Sequence, residues 1–155
     1  MSSALEPIRR SILVGCSAER AFRVFTEEMS SWWPLETHSR AADEELAGVT
    51  AVGVEVEPRE GGRVLERLSN GERLSWGRIQ VWDPPARLVI VWKPNGNHLP
   101  PTELELSFRA EGGKTRVLLE HRGWERLGGS GEKVRSGYVK GWPKVFDACF
   151  GQAAG

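Results

Sequence analysis

The sequence predicts one α+β domain in which an antiparallel sheet is covered on one face by helices. Three observations carry this. Helical periodicity follows Ser17, two-residue alternation then dominates the middle of the chain, and helical periodicity returns from about Gly131. At 155 residues the chain is long enough to bury a core without disulfide staples.

The first strand is expected over Ile8 to Gly15, with Ile8, Ile12 and Val14 on one face. Ser17 offers a helix N-cap, and Glu19 places negative charge in the first turn, where it suits the helix dipole. Ala18, Ala21, Phe22 and Phe25 follow the i, i+3, i+4, i+7 rule, so an amphipathic helix is expected to about Glu28. Ser30 to Pro34, rich in tryptophan, reads as a second small helix before a polar loop.

Strands follow. Val52, Val54 and Val56 alternate until Pro58, and Gly61-Gly62 opens a run from Arg63 to Leu68. Asn70-Gly71 is a hairpin turn leading into Arg73 to Trp82, which Asp83-Pro84-Pro85 stops. Arg87 to Trp92 is a nearly continuous apolar strand. After a loop from Lys93 to Pro101, Leu104, Leu106 and Phe108 alternate strictly. Gly112-Gly113 turns the chain into Thr115 to Gly123, with Val117 and Leu119 on the inner face. Val134, Tyr138, Trp142, Val145 and Cys149 then form one stripe of a helix from about Gly131 to Phe150, with a kink or fresh start expected near Gly141 because of Pro143.

Composition narrows the function. Lysine plus arginine equals aspartate plus glutamate, 21 against 21, so no global field draws in nucleic acid or anionic lipid. No apolar run approaches the roughly 20 residues of a membrane helix, and Met1 to Arg10 lacks the apolar stretch of a signal peptide, so a cytoplasmic location is expected. Two cysteines, Cys16 and Cys149, make neither a disulfide framework nor a C-x-x-C motif. His38 and His98 fall in expected loops, and no two histidines have close spacing; neither a metal nor another cofactor is expected. The paired glycines, Gly61-Gly62, Gly112-Gly113 and Gly128-Gly129, belong to turns rather than to a phosphate loop. Seven tryptophans against one tyrosine are the unusual feature.

A set of landmarks in fixed order resembles the START-like (helix-grip) superfamily, also known as SRPBCC. Within it the chain is similar to the branch named after the C-terminal domain of the heat-shock protein 90 ATPase activator. The landmarks are Ser17-Ala18-Glu19-Arg20-Ala21-Phe22, Trp32-Trp33-Pro34, Gly61-Gly62-Arg63, Asn70-Gly71 and Trp76-Gly77-Arg78-Ile79, then Asp83-Pro84-Pro85-Ala86-Arg87-Leu88 and Trp92. Thr115 to His121 and Gly141-Trp142-Pro143 complete the set. The likeness covers about Pro7 to Phe150 of a single domain. It implies a helix-grip fold: a curved antiparallel sheet of about six or seven strands around the C-terminal helix, two short helices after the first strand, and a cavity between sheet and helix. It implies activity only weakly, because such folds host cyclases, lipid carriers, hormone receptors and chaperone activators.

Two inner-facing residues bear chemistry. His121 shares parity with Val117 and Leu119, and reads either as a ligand hydrogen-bonding or proton-donating group or as a buried histidine satisfied by the protein. Glu66 shares parity with Val64 and Leu68; a carboxylate there must meet Arg78, His121 or a ligand, unless the strand end leaves it solvated. Together they are the one acid–base pair the sequence offers. Trp33, Trp92 and Trp142 either fill the core or line an apolar site with their indole N–H groups as handles. Trp76, Trp82 and Trp124 have the further option of facing outward as a binding surface. The expected cavity is lined by Trp33, Glu66, Trp76, Trp92, Leu104, Leu106, Leu119, His121, Tyr138, Trp142 and Val145.

Three functions follow, in this order: a domain that binds a small, largely apolar molecule; a chaperone-activator-like module contacting a protein partner, with the stress-response role the resemblance implies; and a cyclase- or hydrolase-like enzyme using Glu66 and His121. Neither nucleic acid nor membrane is an expected partner, and the chain is expected as a monomer or a homodimer.

Overall fold

A computed structural model describes residues 5–44, 46–93 and 99–155. Seven strands form one antiparallel sheet: β1 (Ile8–Val14), β2 (Ala51–Val56), β3 (Arg63–Leu68), β4 (Arg73–Asp83), β5 (Arg87–Trp92), β6 (Thr102–Glu111) and β7 (Lys114–Arg122). Their order is β1-β7-β6-β5-β4-β3-β2, so β2 to β7 meander and β1 joins beside β7, with Ile8 opposite His121 and Val14 opposite Thr115. With the long C-terminal helix in its curl, this is the helix-grip fold.

Three bulges bend the sheet. Each puts one extra residue into a strand: Val52 in β2, Trp76 in β4 against β3, and Gln80 in β4 against β5. The first corrects the alternation expected for Val52, Val54 and Val56. Val52 has no partner and is 51% exposed, whereas Gly53 and Val54 turn inward. The second bulge drives Trp76 into the core beside Gly77, whose backbone passes so near β5 that a Cβ would sit 2.0 Å from the Val91 carbonyl oxygen. Only glycine fits there.

Helix α1 (Ala18–Phe25) begins where Ser17 Oγ accepts from the Arg20 N–H at 3.1 Å. It stops at Phe25, three residues earlier than expected, and the hydroxyl of the following Thr26 donates back to the Phe22 carbonyl. Two single-turn helices follow, α2 (Met29–Trp32) and α3 (Arg40–Asp43); the sequence reading holds only the first of them. Beyond β7, a 3-10 segment (Trp124–Ser130) that the periodicity missed leads into α4 (Gly131–Trp142).

The chain keeps helical dihedrals through Trp142 and Pro143, so the expected break is instead a change of hydrogen-bond spacing. Pro143–Phe150 is π-helical, a wider winding that absorbs the missing proline N–H, before α5 (Gly151–Ala154). The wider turns rotate the buried stripe. Phe146 and Phe150 are fully buried with Val145, while Cys149 is half-buried.

The groove is filled unevenly. Toward β1, β7 and β6 it is packed with phenylalanine: Phe22 and Phe25 of α1 meet Phe108 at ring separations of 5.1 and 6.5 Å, and Phe25 meets Phe150 at 5.2 Å. Toward β4 and β5 it is walled by tryptophan. The outer face of the sheet is charged: Glu105 and Glu120 stand opposite each other, and Arg122 bonds both, at 2.7 and 3.1 Å.

Candidate functional site

A cleft of about 610 Å³ opens at the tryptophan end of the groove. One wall is α4, through Val134, Tyr138, Gly141 and Trp142, continued by Val145. Trp76 and Trp92 rise from β4 and β5, and the segment from Trp33 to Asp43 closes the opposite side with Thr37, His38, Ser39 and Arg40. Leu99, Ser130, Lys133 and Gly137 complete the lining. The indoles form one cluster, with Trp33 centred 5.0 Å from Trp76, 6.0 Å from Trp92 and 6.1 Å from Trp142.

Each of these four indoles spends its N–H on the protein. Trp33 donates to the His38 carbonyl at 2.6 Å, Trp76 to Glu66 at 2.9 Å, Trp92 to the Tyr138 hydroxyl and Trp142 to His121, both at 3.1 Å. The handles expected from the sequence are therefore taken, and the rings offer the cleft carbon. Trp76 and Trp124 are also fully buried, which removes the outward-facing alternative for them; Trp82 is half-buried with its ring edge-on to Phe22.

Five residues expected to line the cavity lie behind its surface. Leu104, Leu106 and Leu119 are fully buried in the core. Glu66 is fully buried too, yet it meets neither Arg78 nor His121. One oxygen accepts from the Arg40 N–H at 2.7 Å and from Trp76; the other accepts from the Ala41 N–H at 3.0 Å. The carboxylate thus caps the first turn of α3 and ties it to β4.

His121 is equally enclosed. An indole only donates, so its Nδ1 accepts from Trp142, the ring proton resides on Nε2, and Nε2 donates to Thr102 Oγ1 at 2.7 Å. Burial drives its pKa down to about 3, so it stays neutral and props Trp142 and Tyr138 from behind. Glu66 and His121 sit on β3 and β7, with three strands between them and all their polar atoms engaged by the protein. They do not assemble an acid–base pair.

The polar groups that do face the cleft were mostly not singled out by sequence. His38, read as a loop histidine, has Nδ1 paired with Thr37 Oγ1 at 2.7 Å, while Nε2 faces Gly141. Burial lowers its pKa, with help from Lys144 and against Asp43. Asp43 itself is raised by burial and by the nearby Glu66, partly offset by His38. Tyr138 is pushed up to about 12, chiefly by burial, and keeps its proton. The Ser39 N-cap, which accepts from the Ala42 N–H at 3.1 Å, was the available sequence signal for α3. His98 lies outside the described residues. Among the described residues no three His, Cys, Asp or Glu side chains gather as a metal-ligand set, and no helix is long and apolar enough to cross a membrane.

A family model described as "Activator of Hsp90 ATPase homolog 1-like protein" matches residues 15–149. The chain belongs to the Activator of Hsp90 ATPase homolog 1-like family. Among solved structures, this family member is similar to the self-sacrificing resistance protein CalC from Micromonospora echinospora, at 31% identity, covering 97% of this chain and 94% of that one with a TM-score of 0.68. It is also similar to an anthrahydroquino-gamma-pyrone synthase, Txn09, at 30% identity, 96% coverage of both chains and a TM-score of 0.62. An AHSA1-like protein from Aeromonas hydrophila, 16% identical over 94% of this chain and 91% of that one, shares the fold at a TM-score of 0.60. No curated protein sequence matches the chain.

Proposed function

We propose that this family member binds a planar, largely aromatic small molecule in the tryptophan-walled cleft. The observation that carries the reading is the ring cluster. Trp33, Trp76, Trp92, Trp142 and Tyr138 surround one opening, and all four indole N–H groups are already paired. These rings offer π-faces, and ring pairs contribute about 0.5–1.5 kcal/mol each beyond burial. The volume of about 610 Å³ falls within the range of small-molecule sites. The similarity to a protein named an anthrahydroquino-gamma-pyrone synthase, after a fused-ring compound, supports the same ligand class.

Thermal-shift and tryptophan-fluorescence titrations with anthraquinone test this. A binder raises Tm by mass action and quenches the cleft indoles. Absence of both effects at the solubility limit, for anthraquinone and for its hydroxylated forms, contradicts the reading.

A further inference from the structure

The rings give the cleft carbon surface, so the unspent polar atoms among them bear on which aromatic compound it prefers. Tyr138 Oη accepts from Trp92 Nε1 at 3.1 Å, and its own O–H has no acceptor among the described residues. A hydroxyl that already accepts a hydrogen bond is polarised into a better donor. Across the cleft, the Trp33 indole clamps the His38 carbonyl at 2.6 Å and the Thr37 hydroxyl holds Nδ1 at 2.7 Å. His38 Nε2 is left as the ring nitrogen without a partner among the described residues. A Cβ built on Gly141 would lie 3.8 Å from that atom, so the imidazole reaches α4, the helix that carries Tyr138.

We propose that His38 Nε2 and the Tyr138 O–H form a hydrogen-bonding pole that selects aromatic ligands bearing hydroxyl groups, phenols or hydroquinones, over bare ring systems. This rests on the aromatic-ligand reading above. A ligand hydroxyl both donates and accepts, so it satisfies Nε2 in either neutral tautomer and still accepts a hydrogen bond from the Tyr138 O–H. The charged groups facing His38 are Lys144 from the π-helical segment and Asp43 from α3, and with burial outweighing Asp43 the imidazole is neutral at pH 7. Of the other charged side chains on the lining, Lys133 and Asp43 are exposed, so water weakens their hold on a ligand, and the half-buried Arg40 is already paired with Glu44 at 2.7 Å. A pocket built to bond a hydroxyl penalises an analogue without one, because its own polar atoms then lose water with no replacement.

The test is a pair of calorimetric titrations at pH 7, 2,6-dihydroxyanthraquinone against anthraquinone in the same cosolvent, with the wild-type chain, His38→Leu and Tyr138→Phe. The expected result is at least about tenfold tighter binding of the dihydroxy probe by the wild type. That preference, the ratio of the two affinities, shrinks severalfold in each variant, while an unchanged far-UV circular dichroism spectrum certifies a folded chain. Equal affinities in the wild type, or a preference that survives both substitutions, overturns the pole and leaves the aromatic site standing. Binding of neither probe removes the site and the pole together.

Discussion

The indole of Trp142 donates to Nδ1 of His121 across 3.1 Å, joining the helix in the grip to the strand beneath it. The histidine is fully buried and its other nitrogen is bonded to Thr102, so it is held neutral in the folded chain. Its folded pKa, about 3, lies below the ordinary 6.5. As pH falls the unfolded chain therefore takes the proton first, and stability contributed above pH 6.5 is lost on the way down to about 3.

His121→Gln removes this titration. The variant is expected to be less stable at pH 7 by about 1–3 kcal/mol, through imperfect bonding to Trp142 and Thr102. In urea melts the gap closes as pH falls from 6.5, by about 1.4 kcal/mol per unit once the unfolded histidine is fully charged. Parallel stability profiles for the two proteins would show that His121 is not the buried neutral group described.

Glu66 makes a different prediction because its carboxylate accepts three N–H bonds. Glu66→Gln turns one acceptor into a donor facing donors, and should cost about 2–4 kcal/mol in equilibrium unfolding. The loss concentrates at α3: amide exchange of Arg40 and Ala41 speeds up far more than that of the β6–β7 core. Uniform acceleration across the chain contradicts the capping role.

Gly77→Ala probes the bulge that sends Trp76 inward. A Cβ 2.0 Å from the Val91 carbonyl oxygen forces β4 and β5 apart, so a loss of more than about 2 kcal/mol is expected. Near-UV circular dichroism should change with it as Trp76 is disturbed. A variant as stable as the wild type refutes the close approach.

Much of the architecture was legible in periodicity. Ser17 as a cap, Arg63 to Leu68, Arg87 to Trp92 and the Leu104–Leu106–Phe108 alternation are local signals that the fold does not override. Val52 misled because a bulge adds a residue without changing composition. Cys149 misled because the winding after Pro143 changes from α to π. Inner-face parity placed Leu104, Leu119 and His121 on the concave side of the sheet, where they are. Parity carries no information on what covers a face, so it did not separate the phenylalanine-filled end from the tryptophan-walled one. His38 and Asp43 reach the cleft through a turn and a four-residue helix anchored by Glu66, a contact between residues 25 and 26 positions apart.

The seven indole N–H resonances in a nitrogen-proton correlation spectrum provide the most direct measurement. Titration of 15N-labelled protein with 2,6-dihydroxyanthraquinone should move the signals of Trp33, Trp76, Trp92 and Trp142 most, and those of Trp32, Trp82 and Trp124 least. Unmoved signals at saturating probe, or shifts centred on Trp82 and Trp124, would contradict a ligand site between the grip helix and the β4–β5 wall.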